Sequence, residues 1–199
     1  MRVGMLIAVA LTLLLGTVPS SATTPAAHTY LAKLDRAPAG SQAALVRQAG
    51  RFEGYVCSPD PTVTRTFARW YRGAVDGFGG FRAVLPEGID FSGNVDGARF
   101  AGTVRNRAGT TFAFIGARVS AGPAGLYRGM VTYRGHAVTV GAIVGSDGTF
   151  CAAAHSGARL AAETERSPER LARDRIAVRI GPERTRAVLS LVTRLATSP

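Results

Sequence analysis

The side chains in this 199-residue chain that are able to act as nucleophiles or bases include two cysteines and three histidines. Nucleophilic hydrolysis needs a serine or cysteine beside a histidine that a carboxylate orients. The candidates for such a group are Ser156, His136, His155 and Asp147. His155 and Ser156 are neighbours, so on a strand they would point to opposite faces, and the chain contains no Gly-x-Ser-x-Gly turn. The sequence therefore assigns no catalytic residue and favours a protein that is not an enzyme.

Carboxylates and metal ligands form no recognisable site either. Glycoside hydrolysis needs two acids that face each other across a cleft, and no spacing along the chain selects such a pair. The acids available near predicted loops are Glu53, Asp60, Glu87 and Asp90. Segment 92–97 resembles the start of a calcium-binding loop, yet Thr103 occupies the position where such a loop needs a glutamate. The three histidines lack the short spacings of a zinc site, so the sequence predicts no metal ion and no cofactor.

The start of the chain has the features of a secretory signal peptide. Arg2 supplies a positive charge, a mainly apolar run covers residues 5–15, and small residues follow it, including Ser20 and Ala22. The apolar run is shorter than the roughly 20 residues that a membrane-spanning helix needs. We therefore expect residues 1–22 to be removed and the mature protein to be secreted, with Ala26 or Ala27 as alternative cleavage sites.

Cys57 and Cys151 are the only cysteines. Two cysteines in an oxidising compartment most simply form one disulfide. A disulfide between these positions would close a loop of about 100 residues and contribute up to roughly 4–5 kcal/mol in the chain-entropy model. The sequence thus predicts one disulfide-closed domain over residues 41–157. The alternatives are a metal pair with His136 or His155, and a reactive free thiol.

The chain is strongly basic, with 24 lysines and arginines against 13 acids, a net charge of +11. Loss of the signal peptide removes one of these charges, and the rest divides almost evenly over residues 23–87, 88–157 and 158–199. Proteins that bind nucleic acid usually concentrate their basic residues on one face, so this distribution and the predicted export argue against nucleic acid. Strand pairing would be able to gather five arginines into an anion-binding patch: Arg105, Arg107, Arg118, Arg128 and Arg134.

Residues 88–155 consist of short β-rich runs separated by turn dipeptides such as Asp96-Gly97 and Arg134-Gly135. Connections this short require antiparallel neighbours, because a parallel return needs a crossover of a dozen residues or more. Small or apolar residues occupy both faces of several runs, which favours a sheet covered by helices or curled into a barrel. The six predicted strands of this meander are Ile89–Asn94, Ala98–Asn106, Thr110–Ser120, Leu126–Tyr133, Ala137–Gly145 and Thr149–Ala154.

The segments on either side of the meander are predicted to be helical or irregular. Residues 23–40 form an unstructured lead-in, and a short helix follows from Ser41. Asp60 and Pro61 are typical of a helix start, and an apolar stripe continues from there to Ala74. The Arg- and Ala-rich tail, 158–199, is predicted to contain two helices, at about 168–178 and 182–196. The predicted fold class is therefore α+β, with helices flanking an antiparallel meander.

Two stretches, Gly122–Arg128 and Ser146–Cys151, resemble turns found in small secreted proteins of high-GC Gram-positive bacteria. The resemblance covers about 30 residues and implies neither an activity nor a functional residue. The sequence leads to an exported, non-enzymatic module that contacts an anionic cell-wall polymer, a membrane surface or a secreted protein partner. The alternatives are a small secreted hydrolase and a protease-inhibitor-like protein that uses the loop Gly122–Gly125. The oligomeric state stays open.

Overall fold

The computed structural model describes residues 25–120, 122–157 and 159–195. These residues form fifteen strands and one short helix, and every strand pairing is antiparallel. The strands belong to two sheets, of eight and seven strands. The predicted α+β class with flanking helices is therefore wrong. The predicted signal peptide, residues 1–22, lies outside the described residues.

The first sheet is formed by eight strands from the N-terminal half of the described chain. Its order is β4-β3-β2-β1-β8-β7-β6-β5, so the first and last strands in sequence pair with each other. A bridge between Val75 and Phe81 joins β4 to β5, and the sheet nearly closes into a barrel. The strands are β1 His28–Leu34, β2 Gln42–Gln48, β3 Arg51–Cys57, β4 Trp70–Ala74, β5 Gly80–Val84, β6 Asp90–Asp96, β7 Arg99–Arg105 and β8 Thr111–Val119.

Aromatic side chains fill the interior of the first sheet. The Phe91 ring stacks on Tyr71 at 4.6 Å and on Phe114 at 5.3 Å between ring centroids. The helix α1, Pro61–Phe67, adds Phe67 to this core. An eight-stranded closed sheet has an interior just wide enough for side chains to fill, so this interior is a packed core and not a ligand cavity. The other buried rings of the cluster are Tyr30, Phe52, Phe81 and Phe100.

The second sheet contains seven strands in the order β12-β11-β10-β9-β15-β14-β13. One face of this sheet packs around an aliphatic core. Every second residue of β14 points into that core, namely Ile176, Val178 and Ile180. A bridge from Thr164 to Ile180 brings the segment after β12 against the end of β14. The strands are β9 Gly125–Tyr133, β10 His136–Val144, β11 Phe150–Ser156, β12 Arg159–Ala162, β13 Glu169–Ala172, β14 Arg175–Ile180 and β15 Thr185–Leu191.

The two sheets contact each other through residues that point away from their own cores, and we call this contact the seam. Successive strand residues face opposite sides, so Phe52 and Val56 of β3 point into the first core while Tyr55 and Cys57 point into the seam. The Tyr55 hydroxyl donates to the carbonyl oxygen of Ala153 on β11 at 3.4 Å. The buried cluster at the seam contains Leu31, Ala44, Val46, Tyr55, Cys57, Ala68, Leu126, Ile143, Cys151, Ala153 and Val192.

The prediction of a helix from Pro61 to Ala74 is confirmed at the N-terminal end of the helix and is wrong at its C-terminal end. The Asp60 carboxylate accepts hydrogen bonds from the backbone N–H groups of Thr62 and Val63, as an N-cap does. The helix ends at Phe67, and the residues from Trp70 pair with β3 instead. Pairing buries Tyr71 inside the first sheet and leaves Trp70 on the seam side. Tertiary pairing therefore overrides the helical stripe.

Three other predicted regions also form strands. The lead-in 23–40 contains β1, which is paired on both sides, and the helix expected from Ser41 is β2. The tail contains β13, β14 and β15 where two helices were predicted. In β15 the buried residues are Ala187 and Leu189, with exposed neighbours, which is the two-residue period of a strand. The tail strands cover the open side of β9, and this long-range pairing decides their structure.

Candidate functional site

The five arginines predicted to form one patch lie on separate parts of the molecule. Arg105 ends β7 and Arg107 follows it, while Arg118 lies at the opposite end of the neighbouring strand β8. Arg134 occupies the turn between β9 and β10 of the second sheet, with Glu183 as its ion-pair partner. Arg105 is paired with Asp90 at 3.8 Å. The described fold therefore does not gather these side chains onto one face, and only Arg128 points into the seam.

Arg128 belongs to a buried ion cluster centred on Glu53. The Glu53 side chain is only 2% exposed. Its Oε1 atom accepts hydrogen bonds from Arg72 Nε at 2.7 Å and from Arg128 Nη1. Strand β3 supplies Glu53, the adjacent strand β4 places Arg72 directly opposite it, and β9 of the second sheet supplies Arg128. One carboxylate thus holds a guanidinium from each sheet.

The electrostatics of this cluster leave positive charge at the surface of the seam. A carboxylate as buried as Glu53 is stable only when it is paired and hydrogen bonded. Two guanidiniums share this one carboxylate, so their charges exceed its own. Arg128 also lies over the Trp70 ring, with its Cζ atom 5.2 Å from the ring centroid. Both guanidinium side chains still reach solvent, since Arg72 is 60% exposed and Arg128 is 26% exposed.

Two surface depressions lie beside the cluster. One, of about 320 Å³, contains Arg51, Glu53 and Arg72 together with Leu195 in its wall. The other, of about 200 Å³, is lined by Arg128 and by residues 190–194. A few fixed charged groups in such depressions orient ligands that carry the opposite charge. We call the four basic residues that line these two depressions the seam arginines: Arg51, Arg72, Arg128 and Arg194.

Sequence reasoning missed three of the seam arginines. Arg72 lies in the segment up to Ala74 whose apolar stripe predicts a helix, and Arg194 lies in the predicted helical tail. The signal available in the sequence was the alternation in β3, where Arg51, Glu53 and Tyr55 share one face and apolar residues occupy the other. Recognising β3 and β4 as paired strands would have placed Glu53 opposite Arg72.

The structure does not bring together the side chains that were candidates for hydrolysis. His136 is exposed at the start of β10, and His155 is buried on β11. Within the described residues neither histidine is hydrogen bonded to a serine or a carboxylate. Asp147 pairs with Lys33 at 2.8 Å. Asp60 caps α1, and Asp90 pairs with Arg82 at 2.8 Å. The contacts described for Asp147, Asp60 and Asp90 are thus with basic or backbone groups.

His155 is expected to make the fold sensitive to mild acid. Burial, and secondarily the nearby charge of Arg69, lowers the pKa of His155 from 6.5 to about 4. The unfolded chain therefore binds a proton on this side chain between pH 6.5 and 4, while the folded protein does not. Stability present above pH 6.5 is lost as the pH falls toward 4, by about 3 kcal/mol. Urea unfolding across this range should give a steeper loss for the native protein than for His155→Gln, and equal slopes would contradict this assignment.

The two cysteines occupy the seam. Cys57 and Cys151 are both buried and both free, and they are not at disulfide distance. They nevertheless lie in the same buried cluster, one on each sheet. The disulfide stays a prediction.

The loop considered as an inhibitory contact is held against the protein. Gly122, Pro123 and Ala124 are half-buried, and Ala124 packs on the seam cluster. The Tyr127 hydroxyl donates to the Pro123 carbonyl oxygen at 2.7 Å. This loop is therefore held in place, and its residues are half-buried instead of fully exposed.

Neither a metal-binding group nor a membrane-spanning helix is found among the described residues. Residues 25–120, 122–157 and 159–195 contain no group of three or more histidine, cysteine or acidic side chains placed to hold a metal ion. No helix among the same residues is both long and apolar enough to span a membrane.

Comparison with known proteins gives little further information. No protein-family model matches the chain, and no curated protein matches it. The chain is similar to a crystal structure of a candidate AttH protein from Nitrosomonas europaea, with 10% identity and a TM-score of 0.25, over 80% of this chain and 78% of that one. A similarity this low supports no conclusion about function, so the site has to be interpreted from its own residues.

Proposed function

We propose that this protein is an exported, non-enzymatic binding protein that holds an anionic ligand at the seam. The observation that carries the proposal is the sharing of one buried carboxylate, Glu53, by Arg72 and Arg128. This sharing fixes two guanidiniums in place and leaves their combined charge in excess of the carboxylate. The planar guanidinium group binds two oxygens of a carboxylate or a phosphate at once through its parallel N–H donors. Arg194 lines the adjoining depression together with Arg128 and adds to the same positive field.

Preorganisation is the reason why the seam is favoured over the scattered exposed arginines. A flexible surface arginine loses side-chain entropy when it binds a ligand. Arg72 is held by Glu53, and Arg128 is held by both Glu53 and the Trp70 ring, so this entropy is already lost in the folded protein. Depressions of about 320 and 200 Å³ suit single charged units of a polymer better than one large compact ligand. The predicted export makes an anionic cell-wall polymer the ligand class that we propose.

Binding of the full chain to a purified anionic cell-wall polymer, measured at low and high salt, tests this proposal. The variant Arg72→Gln with Arg194→Gln keeps Arg128 on Glu53 and should weaken binding about tenfold or more, because each charged hydrogen bond contributes about 1.5–3 kcal/mol. The matched control is Arg107→Gln with Arg118→Gln, which removes the same charge away from the seam. We expect the control to bind within about twofold of the native protein, since it leaves the seam contacts intact.

Two outcomes would contradict the proposal. A control variant that loses as much affinity as the seam variant would place binding on the general surface charge. Retention that is insensitive to salt would exclude recognition by charge, because exposed ionic contacts weaken as salt screens them.

A further inference from the structure

The two cysteines form an asymmetric pair across the seam. Cys57 is the last residue of β3 in the first sheet, and Cys151 lies on β11 of the second sheet. Both are buried in the cluster at the seam. The pair is therefore formed by the contact of the two sheets and not by either sheet alone.

The surroundings of the two sulfur atoms differ. The Gln42 side-chain amide lies 3.9 Å from Cys151 Sγ and points a donor at it. Burial, and secondarily the neighbouring Cys151, raises the pKa of the Cys57 thiol well above its usual value. Because the thiolate is the nucleophile in thiol chemistry, this environment disfavours Cys57 as the sulfur that reacts first.

The two cysteines also differ in their position relative to a cavity at the protein surface. A cavity of about 480 Å³ lies between the start of α1 and the strands β11 and β12. Cys151 belongs to its wall, together with Ser58, Thr64 and Leu160, whereas Cys57 does not. A small disulfide reagent that enters this cavity therefore lies beside Cys151, whereas Cys57 is not part of the cavity wall.

We propose that Cys151 and Cys57 are an oxidisable pair in which Cys151 reacts first, through the cavity, and Cys57 then closes a disulfide that joins the two sheets. The oxidant is a disulfide of the exported compartment. Cys151 gives up its proton, attacks one sulfur of the oxidant and breaks its S–S bond, so one half leaves as a thiol and the other stays on Cys151. Cys57 then loses its proton and attacks the Cys151 sulfur, which releases the second half as a thiol. In total, the two protein thiols lose two electrons and two protons, and the disulfide of the oxidant gains them and becomes two thiols.

Reaction of the reduced full chain with oxidised glutathione, followed by intact-protein mass spectrometry, tests the order of events. The native protein should lose two hydrogen atoms and keep no glutathione. Cys57→Ser should accumulate one glutathione adduct, on Cys151. Cys151→Ser should react about tenfold more slowly or worse, because its remaining thiol is buried outside the cavity and stays protonated. In concentrated urea the two variants should react at similar rates, which separates the effect of folding from that of intrinsic reactivity.

Three results would overturn the proposal. Equal rates for the two folded variants, or a faster reaction in Cys151→Ser, would remove the assigned order. A native protein that keeps a glutathione adduct would show that Cys57 does not resolve it. The proposal does not rest on anion binding at the seam, so the two experiments fail independently.

Discussion

Replacing Glu53 by glutamine is expected to lower the free energy of unfolding by about 3 kcal/mol, because the change leaves two guanidiniums together without their carboxylate. The substitution keeps the size of the side chain and removes only its charge. The expected value lies at the low end for broken buried ion pairs, since Arg72 still reaches water. Urea unfolding of the full chain measures the loss.

The control for this variant is Glu183→Gln. Glu183 also binds an arginine, Arg134, but both side chains are exposed. Ion pairs at the surface contribute little to stability because water already solvates both charges. We therefore expect Glu183→Gln to unfold at nearly the native urea concentration. Equal losses for the two variants would mean that Glu53 is no more important to the fold than a surface acid.

Replacing Gly141 by valine is expected to lower the free energy of unfolding by about 3 kcal/mol, because the new side chain has no room at the seam. A Cβ atom at this position would lie 2.5 Å from Cζ of Tyr55, and the Tyr55 ring is fully buried. The ring is held in turn by Trp70, whose centroid is 4.7 Å away. The two sheets would have to move apart to accept the change.

Two comparisons show whether the Tyr55 ring causes this loss. Gly77→Val adds the same side chain at a position with nothing within 4 Å, and it should leave the urea midpoint nearly unchanged. In a Tyr55→Ala background, Gly141→Val should cost much less than in the native protein, because the ring it clashes with is absent. If Gly141→Val lowered the free energy of unfolding as much in that background as in the native protein, the clash with the Tyr55 ring would not be the cause of the loss.

The sequence was most informative where the signal is local. The Asp60 cap was predictable because one side chain and two backbone groups within the same turn determine it. The six predicted strands between residues 89 and 154 coincide closely with β6 to β11, because turn dipeptides such as Asp96-Gly97 separate them. Their grouping into one meander failed, because the chain leaves the first sheet after Val119 and enters the second at Gly125.

The segments that failed are those whose structure depends on a distant partner. The residues from Trp70 to Ala74 fit a helical stripe and a strand equally well, and pairing with β3 decides between them. The tail has the same ambiguity, because the closely spaced apolar residues near Leu189 fit both the 3.6-residue period of a helix and the two-residue period of a strand. Tail strand β15 pairs with β9, about 60 residues earlier in the chain, and no local pattern reveals that contact.

The candidate site was predicted only in part for the same reason. Arg128 was named because of its residue type, and Glu53 was considered as a lone acid near a loop. Their contact joins residues 75 positions apart, and the contact of Glu53 with Arg72 joins residues 19 positions apart. The contact with Arg128 depends on knowing that β3 faces the second sheet, and the contact with Arg72 depends on knowing that β3 pairs with β4.

Side-chain NMR of the arginine Nε–H groups tests anion recognition at the seam most directly. During titration of the full chain with a short anionic cell-wall polymer fragment, the signals of Arg72 and Arg128 should shift in a saturable and salt-sensitive way. The signals of Arg107 and Arg118, assigned with their own variants, should stay in place and serve as the internal reference. Saturable shifts at Arg107 and Arg118 with unchanged signals at the seam would contradict the account.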